Sequence, residues 1–309
     1  MSHSHNHERV SQVATRPLII TLVIVAGVMV AEIIGGIISH SLALISDAAH
    51  MMVDALALGL SLFAVYMAKR PSTLTRTFGY HRVEIMVALA NGSILVLVAA
   101  FIFFESYQRF QEPSDVRTPI MLLIACIGLV ANIAGIFLLR RGSHLSLNIK
   151  GAFWHVLGDT ISSVGVITAA IIIMVTGWEY ADPVVAIVIG VIILWGAVRL
   201  VRDSVDILME SVPKHIKVEE VVDSIRQIPG VKDIHDIHIW TITSGIIALS
   251  AHLMIEDQMV SHSTEVRQQV NHMLGEKYSI THTTLQLECA QCEVCPVGVV
   301  CQLARPDEE

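Results

Sequence analysis

A histidine stands four residues before an aspartate twice in this chain: His50 and Asp54 in "HMMVD", and His155 and Asp159 in "HVLGD". Positions i and i+4 share one face of a helix. Each pair therefore presents an imidazole and a carboxylate side by side. If the two segments face one another, two imidazoles and two carboxylates converge, a tetrahedral ligand set suited to Zn²⁺. The parallel with zinc helices of the H-E-x-x-H kind lies in the one-turn spacing alone. The alternative is a pair of structural His–Asp hydrogen bonds that lock helices together. The same order and spacing on two separate segments favours the ligand set. Asp47 lies three residues before His50 and on its face. It is a candidate to orient a ligand or carry a proton, or a plain helix-start carboxylate.

Both pairs sit in long apolar runs. The 309-residue chain is 53% hydrophobic and only 16% charged, with a mean hydropathy of +0.64, values that fit a polytopic membrane protein. A span needs roughly 20 apolar residues to cross about 30 Å of hydrocarbon. Six stretches qualify: about 17–39, 41–67, 84–104, 119–139, 152–176 and 184–201. The second and fifth carry the His–Asp pairs. An aspartate at mid-bilayer costs about 2.5–3.5 kcal/mol on insertion scales, so these side chains are expected to face the bundle interior and meet partners there. Glu32 in the first span reads as a buried hydrogen-bonding group, and Glu105 at the end of the third as an interface residue. "SHS" at 39–41 makes the first two spans a tight helical hairpin.

Lysine and arginine in short loops set orientation. Lys69, Arg70, Arg76 and Arg82 lie in one loop, Arg140, Arg141 and Lys150 in another, and Arg199 and Arg202 near the end of the sixth span. The opposite loops are neutral, mixed or acidic. An even span count then puts both termini in the cytoplasm. No signal peptide is visible; "MSHSHNHERV" is polar and His-rich. His3, His5 and His7 can collect metal weakly or form a plain polar tail. A net charge of −8 with no basic stripe argues against nucleic acid as a partner.

The last 105 or so residues have ordinary soluble composition. Residues 216–228 have helical apolar spacing and stop at "PG". "VKDIHDIHIWTIT" alternates as a strand, "SG" turns it, and "IIALSAHLMIED" reads as its partner. Residues 262–277 read as a helix and 279–288 as a last strand. The order αββαβ describes a small two-layer α/β domain. Alternation puts His282, Gln286 and Glu288 on one face of the last strand, with Leu285 and Leu287 on the other, core face. His235 and His252 lie on the two preceding strands. Cys126 falls inside a span. Cys289, Cys292, Cys295 and Cys301 crowd into the tail as C-x2-C-x2-C-x5-C, too close for a secreted disulfide framework and able to hold Zn²⁺ as thiolates.

At this point the chain resembles a family. "SLALISDAAHMMVDALAL" (41–58), "RTFGYHRVEIMVALAN" (76–91), "SLNIKGAFWHVLGDTISSVGV" (146–166), "GWEYADPVVAIVIG" (177–190), "HDIHIWTITSG" (235–245) and "ITHTTLQLE" (280–288) are similar to the cation diffusion facilitators, within them to the bacterial zinc-exporting branch. The resemblance implies a polytopic protein of six transmembrane helices, a cytoplasmic ferredoxin-like domain, a homodimer, and efflux of divalent metal in exchange for protons. Its transport-site motif falls on His50, Asp54, His155 and Asp159. It also implies that His235, His252 and Glu288 bind regulatory metal, with His262 a further candidate; a polar sheet face with solvated histidines is the alternative. Some members carry another metal site in the loop between spans two and three. Here Arg76 and Tyr80 stand where its histidines would be, leaving only His81.

The expected organisation is a His-containing cytoplasmic tail (1–16), a six-helix transport domain (17–205), a cytoplasmic metal-binding and dimerisation domain (206–288) and a Cys-rich tail (289–309). The expected function is export of Zn²⁺ from the cytoplasm across a bacterial inner membrane by proton antiport. Membrane lipid, divalent metal and protons are the partners. The alternatives are an intramembrane zinc enzyme, which would need an open coordination position and a general base, and a membrane metal sensor.

Overall fold

Inside a bilayer no water is present to bond a bare peptide group, so a spanning segment satisfies its own N–H and C=O groups as helix. The structure, a computed structural model, describes the backbone of residues 4–140 and 147–289, and side chains from residue 20 onward except at 147–152, 154 and 155. Its first six helices are α1 (Ser4–Ser39), α2 (Leu42–Ala68), α3 (Val83–Gln111), α4 (Thr118–Arg140), α5 (Leu147–Thr176) and α6 (Ala181–Leu208). Among the described residues, six helices are long and apolar enough to cross a membrane. Helix α1 begins well before its apolar stretch, so the segment read as a tail is helical from Ser4 onward. Helices α3 and α6 run past the apolar runs that mark them, because the helix continues after its side chains turn polar.

The described parts of 1–60 and 90–200 form one compact unit, and those of 61–89 and 201–309 another. In the first unit, side chains such as Val23, Leu97, Val130, Phe137 and Trp195 are exposed, as expected where lipid is the solvent. Helix α4 buries Thr118, Met121, Ala125, Gly128, Asn132, Gly135 and Leu139. That alternation of three and four residues is a seam directed at neighbouring helices, and α4 packs chiefly on α5 and α1. Small residues let backbones close up. A Cβ on Gly35 of α1 would lie 2.6 Å from Ile124 Cγ1 of α4, and one on Gly190 of α6 would lie 2.9 Å from Phe103 Cε1 of α3. The α1–α2 hairpin closes through His40, whose φ of 57° takes the left-handed turn, while Ser41 N–H bonds back to Gly36 C=O at 3.1 Å.

The second unit holds the C-terminal domain: α7 (Val218–Arg226), β1 (Val231–Thr243), β2 (Ile246–Ile255), α8 (Val260–Tyr278) and β3 (Ile280–Cys289). This is the αββαβ order read from the sequence. The sheet order is β1-β2-β3. Strands β1 and β2 are antiparallel, with Thr243 opposite Ile246 across a two-residue turn whose Gly245 has φ 81°. Strand β3 runs parallel to β2, and α8 supplies the crossover that a parallel pair requires. The core is aliphatic: Val221, Val222 and Ile225 of α7 and Val270 and Leu274 of α8 bury against Ile234, Leu249, Leu253 and Ile280. Leu285 and Leu287 pack on it from β3, as the alternation predicts. At the β1 entry, burial pushes the Asp233 carboxyl up, but the Ile234 N–H and the Arg226 guanidinium outweigh it and hold it below its ordinary value.

Candidate metal centres

The C-terminal sheet brings three metal-binding side chains together because its register does. His235 on β1 lies directly opposite His252 on β2, and Glu288 on β3 opposite Met254, two residues further along β2. Directly paired residues point to the same face, so all three project to one side, opposite the aliphatic core. The imidazoles meet edge to face with centroids 5.1 Å apart. Glu288 reaches both: Oε2 is 3.3 Å from His235 Nε2 and Oε1 is 2.9 Å from His252 Nδ1. One ligand atom from each lies within 4.8 Å of the others. Neither nitrogen makes an aligned hydrogen bond despite these distances. Two imidazoles and one carboxylate gathered this closely are the donor types that suit a borderline metal such as zinc.

Asp236 follows in the β1 bulge between His235 and His238, with a left-handed φ of 49°. Such a conformation is costly for a residue with a Cβ. It turns the carboxylate back over the sheet, where Oδ1 lies 3.0 Å from His238 Nε2 and Oδ2 lies 3.8 Å from His252 Nε2. His252 is thus flanked by a carboxylate at each nitrogen, which orients its ring. His262 does not join this group. Helix α8 buries Ser263, Val266, Val270 and Leu274, and that packing leaves His262 on the exposed face. Cys289 closes β3 half-buried. Cys292, Cys295 and Cys301 lie outside the described residues. In the loop between α2 and α3, the Arg76 guanidinium stacks over the Tyr80 ring at 4.6 Å.

In the helical unit, His50 Nε2 and Asp54 Oδ2 lie 3.4 Å apart, one turn from each other on α2. Asp47 is 1% exposed and Asp159, on α5, is 2% exposed. Both therefore face the interior, as the insertion cost requires. These four side chains all make further polar interactions. His155 lies one turn before Asp159 on α5, with its side chain outside the described residues. Among the described residues, the group of three ligands gathered within 4.8 Å is the one in the C-terminal domain.

Two buried carboxylates carry more than the sequence suggests. Asp182, second residue of α6, caps the start of α2. It accepts the Ser41 hydroxyl at 2.6 Å, the Leu42 N–H at 2.6 Å and the Ala43 N–H at 3.2 Å. Arg109 of α3 completes the clasp, donating to Asp182 Oδ2 at 3.3 Å and to the His40 C=O at 2.6 Å. Glu105, at the end of α3, pairs with Arg109 at 3.3 Å. Glu32 is 1% exposed in α1, and one of its oxygens, Oε2, has no hydrogen-bond partner among the described residues.

Residues 18–209 match the family described as the cation efflux transmembrane domain, and residues 213–290 match that described as the cation efflux protein, cytoplasmic domain. The chain is 42% identical over 291 residues to the metal cation efflux system protein CzcD of Cupriavidus metallidurans, covering 94% of this chain and 91% of that one. It is 40% identical over 293 residues to a cadmium, cobalt and zinc/H(+)-K(+) antiporter of Bacillus velezensis, covering 94% and 93%. It is 37% identical over 298 residues to the zinc transporter ZitB of Escherichia coli, covering 94% of each.

Proposed function

The chain belongs to the cation diffusion facilitator family and is an integral membrane transporter of the metal efflux kind, not an enzyme, and on that premise we propose that it exports Zn²⁺ from the cytoplasm by exchange for protons. The observation that carries the reading is the repeated His–Asp pair on α2 and α5, with Asp159 buried and His50 and Asp54 in contact. His50, Asp54, His155 and Asp159 hold the ion as substrate. Each binds metal only when deprotonated, so metal and protons compete for the same groups. With access from the cytoplasm, zinc displaces protons; with access from the opposite side, protons return and zinc leaves. Rocking of the helix bundle switches access. The names of the relatives support this substrate class: two of the three name zinc, and one of those two also names cadmium, cobalt, H⁺ and K⁺.

His235, His252 and Glu288 hold a regulatory metal, with Asp236 orienting His252. Metal there favours a homodimer through the C-terminal domains, a reading supported by the match to the family's cytoplasmic domain. The protein resides in a bacterial inner membrane with both termini in the cytoplasm, as the loop charges direct. Full-length protein in sealed vesicles tests the transport reading. Zinc entry coupled to proton exit is expected; zinc binding without flux would sink it.

A further inference from the structure

We propose that the loop between α2 and α3 is a docking surface for anionic phospholipid headgroups, with Leu74 entering the acyl boundary between them. This rests on the chain being a membrane protein and not on which ion it carries. Residues 69–83 hold Lys69, Arg70, Arg76 and Arg82 and no acid. Arg82 is neutralised by Glu210 at 2.6 Å. Lys69, Arg70 and Arg76 are exposed, and among the described residues no carboxylate pairs with any of the three. Three uncompensated cations on one short loop call for anions from outside the chain.

The shape of the loop points to lipid rather than to a free anion. Thr73 and Arg76 exchange both backbone hydrogen bonds, at 3.2 and 3.1 Å, and Thr73 Oγ1 also accepts the Arg76 N–H at 3.2 Å. Residues 73–76 therefore close into a tight turn whose ends are internally bonded, which lowers the cost of bringing that backbone to apolar surroundings. Leu74 stands at its tip, fully exposed. A single exposed leucine is ordinary on a soluble surface, but this one lies six residues beyond the last residue of a membrane span.

Helix α2 presents exposed Phe63 and Tyr66 near that end, and a tyrosine at the end of a span sits at headgroup level. The Arg70 guanidinium lies over the Tyr66 ring at 5.7 Å, so it stands in the same layer. Four residues of chain reach at most about 14 Å, which keeps Leu74 beside it. The Arg76 guanidinium lies over the Tyr80 ring at 4.6 Å. Stacking by one face leaves the N–H edge free, and that edge matches phosphate. Basic side chains around an apolar one are the composition that binds an anionic bilayer surface. The attachment ties the end of α2, the helix that carries Asp47, His50 and Asp54, to the headgroup layer.

The test places full-length protein in nanodiscs of phosphatidylcholine alone or of phosphatidylcholine and phosphatidylglycerol at three to one. Amide hydrogen exchange of residues 71–78 is measured relative to residues 112–117, the loop at the other end of α3, which reports the anionic surface alone. Phosphatidylglycerol is expected to slow exchange of 71–78 by at least about fivefold, the gain from one basic residue at an anionic surface, and half-molar salt to reverse the effect. In the double variant Arg70→Gln, Arg76→Gln the slowing falls to near none. In Leu74→Ser it falls to less than half. That variant leaves every loop charge in place, and with it the signal that orients the span, so it decides if the arginine variant does not insert. Equal exchange of wild type in the two lipids would overturn the proposal. So would slowing undiminished in Leu74→Ser, or inorganic phosphate slowing exchange as strongly in phosphatidylcholine alone, since either result would make the loop a free-anion site.

Discussion

Ser41 and Asp182 are 141 residues apart in the chain, and the Ser41 hydroxyl donates to Asp182 Oδ1 across 2.6 Å. This bond belongs to a clasp of three helices, since Asp182 also caps the first turn of α2 and pairs with Arg109 of α3. Carboxylates are favoured at helix N-termini, where free N–H groups and the helix dipole both present positive charge. The clasp fixes the start of the helix that bears Asp47, His50 and Asp54.

Asp182→Ala leaves Arg109 and two α2 N–H groups buried without their acceptor. Breaking one side of such a pair costs about 3–5 kcal/mol. Thermal unfolding of purified full-length protein is expected to report a loss of that order. Asp182→Asn retains one acceptor oxygen and is expected to lose less. Equal stability of wild type and Asp182→Ala would show that the clasp contributes nothing.

Asp54→Ala and Asp159→Ala are expected to abolish zinc flux while the protein still inserts. Removing an intramembrane carboxylate relieves an insertion cost, so only the transported ion loses a ligand. Membrane yield and vesicle flux, measured together, check this. Normal flux in either variant would refute the shared four-ligand site.

His50→Asp is expected to broaden the choice of metal. Two imidazoles and two carboxylates suit tetrahedral zinc, with metal–nitrogen distances of about 2.0–2.1 Å. A third carboxylate keeps a ligand at the same helix position and can chelate through two oxygens. That permits longer bonds and more ligands, which favours the larger Cd²⁺. The cadmium-to-zinc flux ratio in vesicles is the readout. An unchanged or lower ratio, with zinc still carried, would mean that His50 does not set selectivity.

Glu288→Ala and His235→Ala are expected to weaken metal-dependent dimerisation and to reduce flux without removing it. Each deletes one ligand from a group that lies outside the transmembrane helices. Analytical ultracentrifugation with and without zinc, alongside flux, separates the two effects. Flux lost as fully as in Asp54→Ala would place these residues on the transport path.

The sequence by itself determined everything that repeats along one chain segment. Six spans follow from the length of apolar runs, and the C-terminal αββαβ order follows from a switch of period from helix to strand. Alternation alone put Glu288 on the polar face of β3 and Leu285 and Leu287 on the core face. The i, i+4 rule alone placed His50 beside Asp54. Tertiary structure decided what depends on contacts between distant segments. Strand register, not spacing, sets His235 opposite His252 and excludes His262, because α8 turns its apolar stripe inward. Asp182 reads in the sequence only as part of an acidic loop, and the folded chain alone sets its carboxylate on the Leu42 and Ala43 N–H groups of α2. Glu32 reads as a lone buried acid, and only the packing of α1 on α4 sets its Oε1 where a Cβ on Gly128 would lie 2.8 Å away. Periodicity encodes which way a side chain faces; which partner it meets there is fixed by how the helices and strands pack.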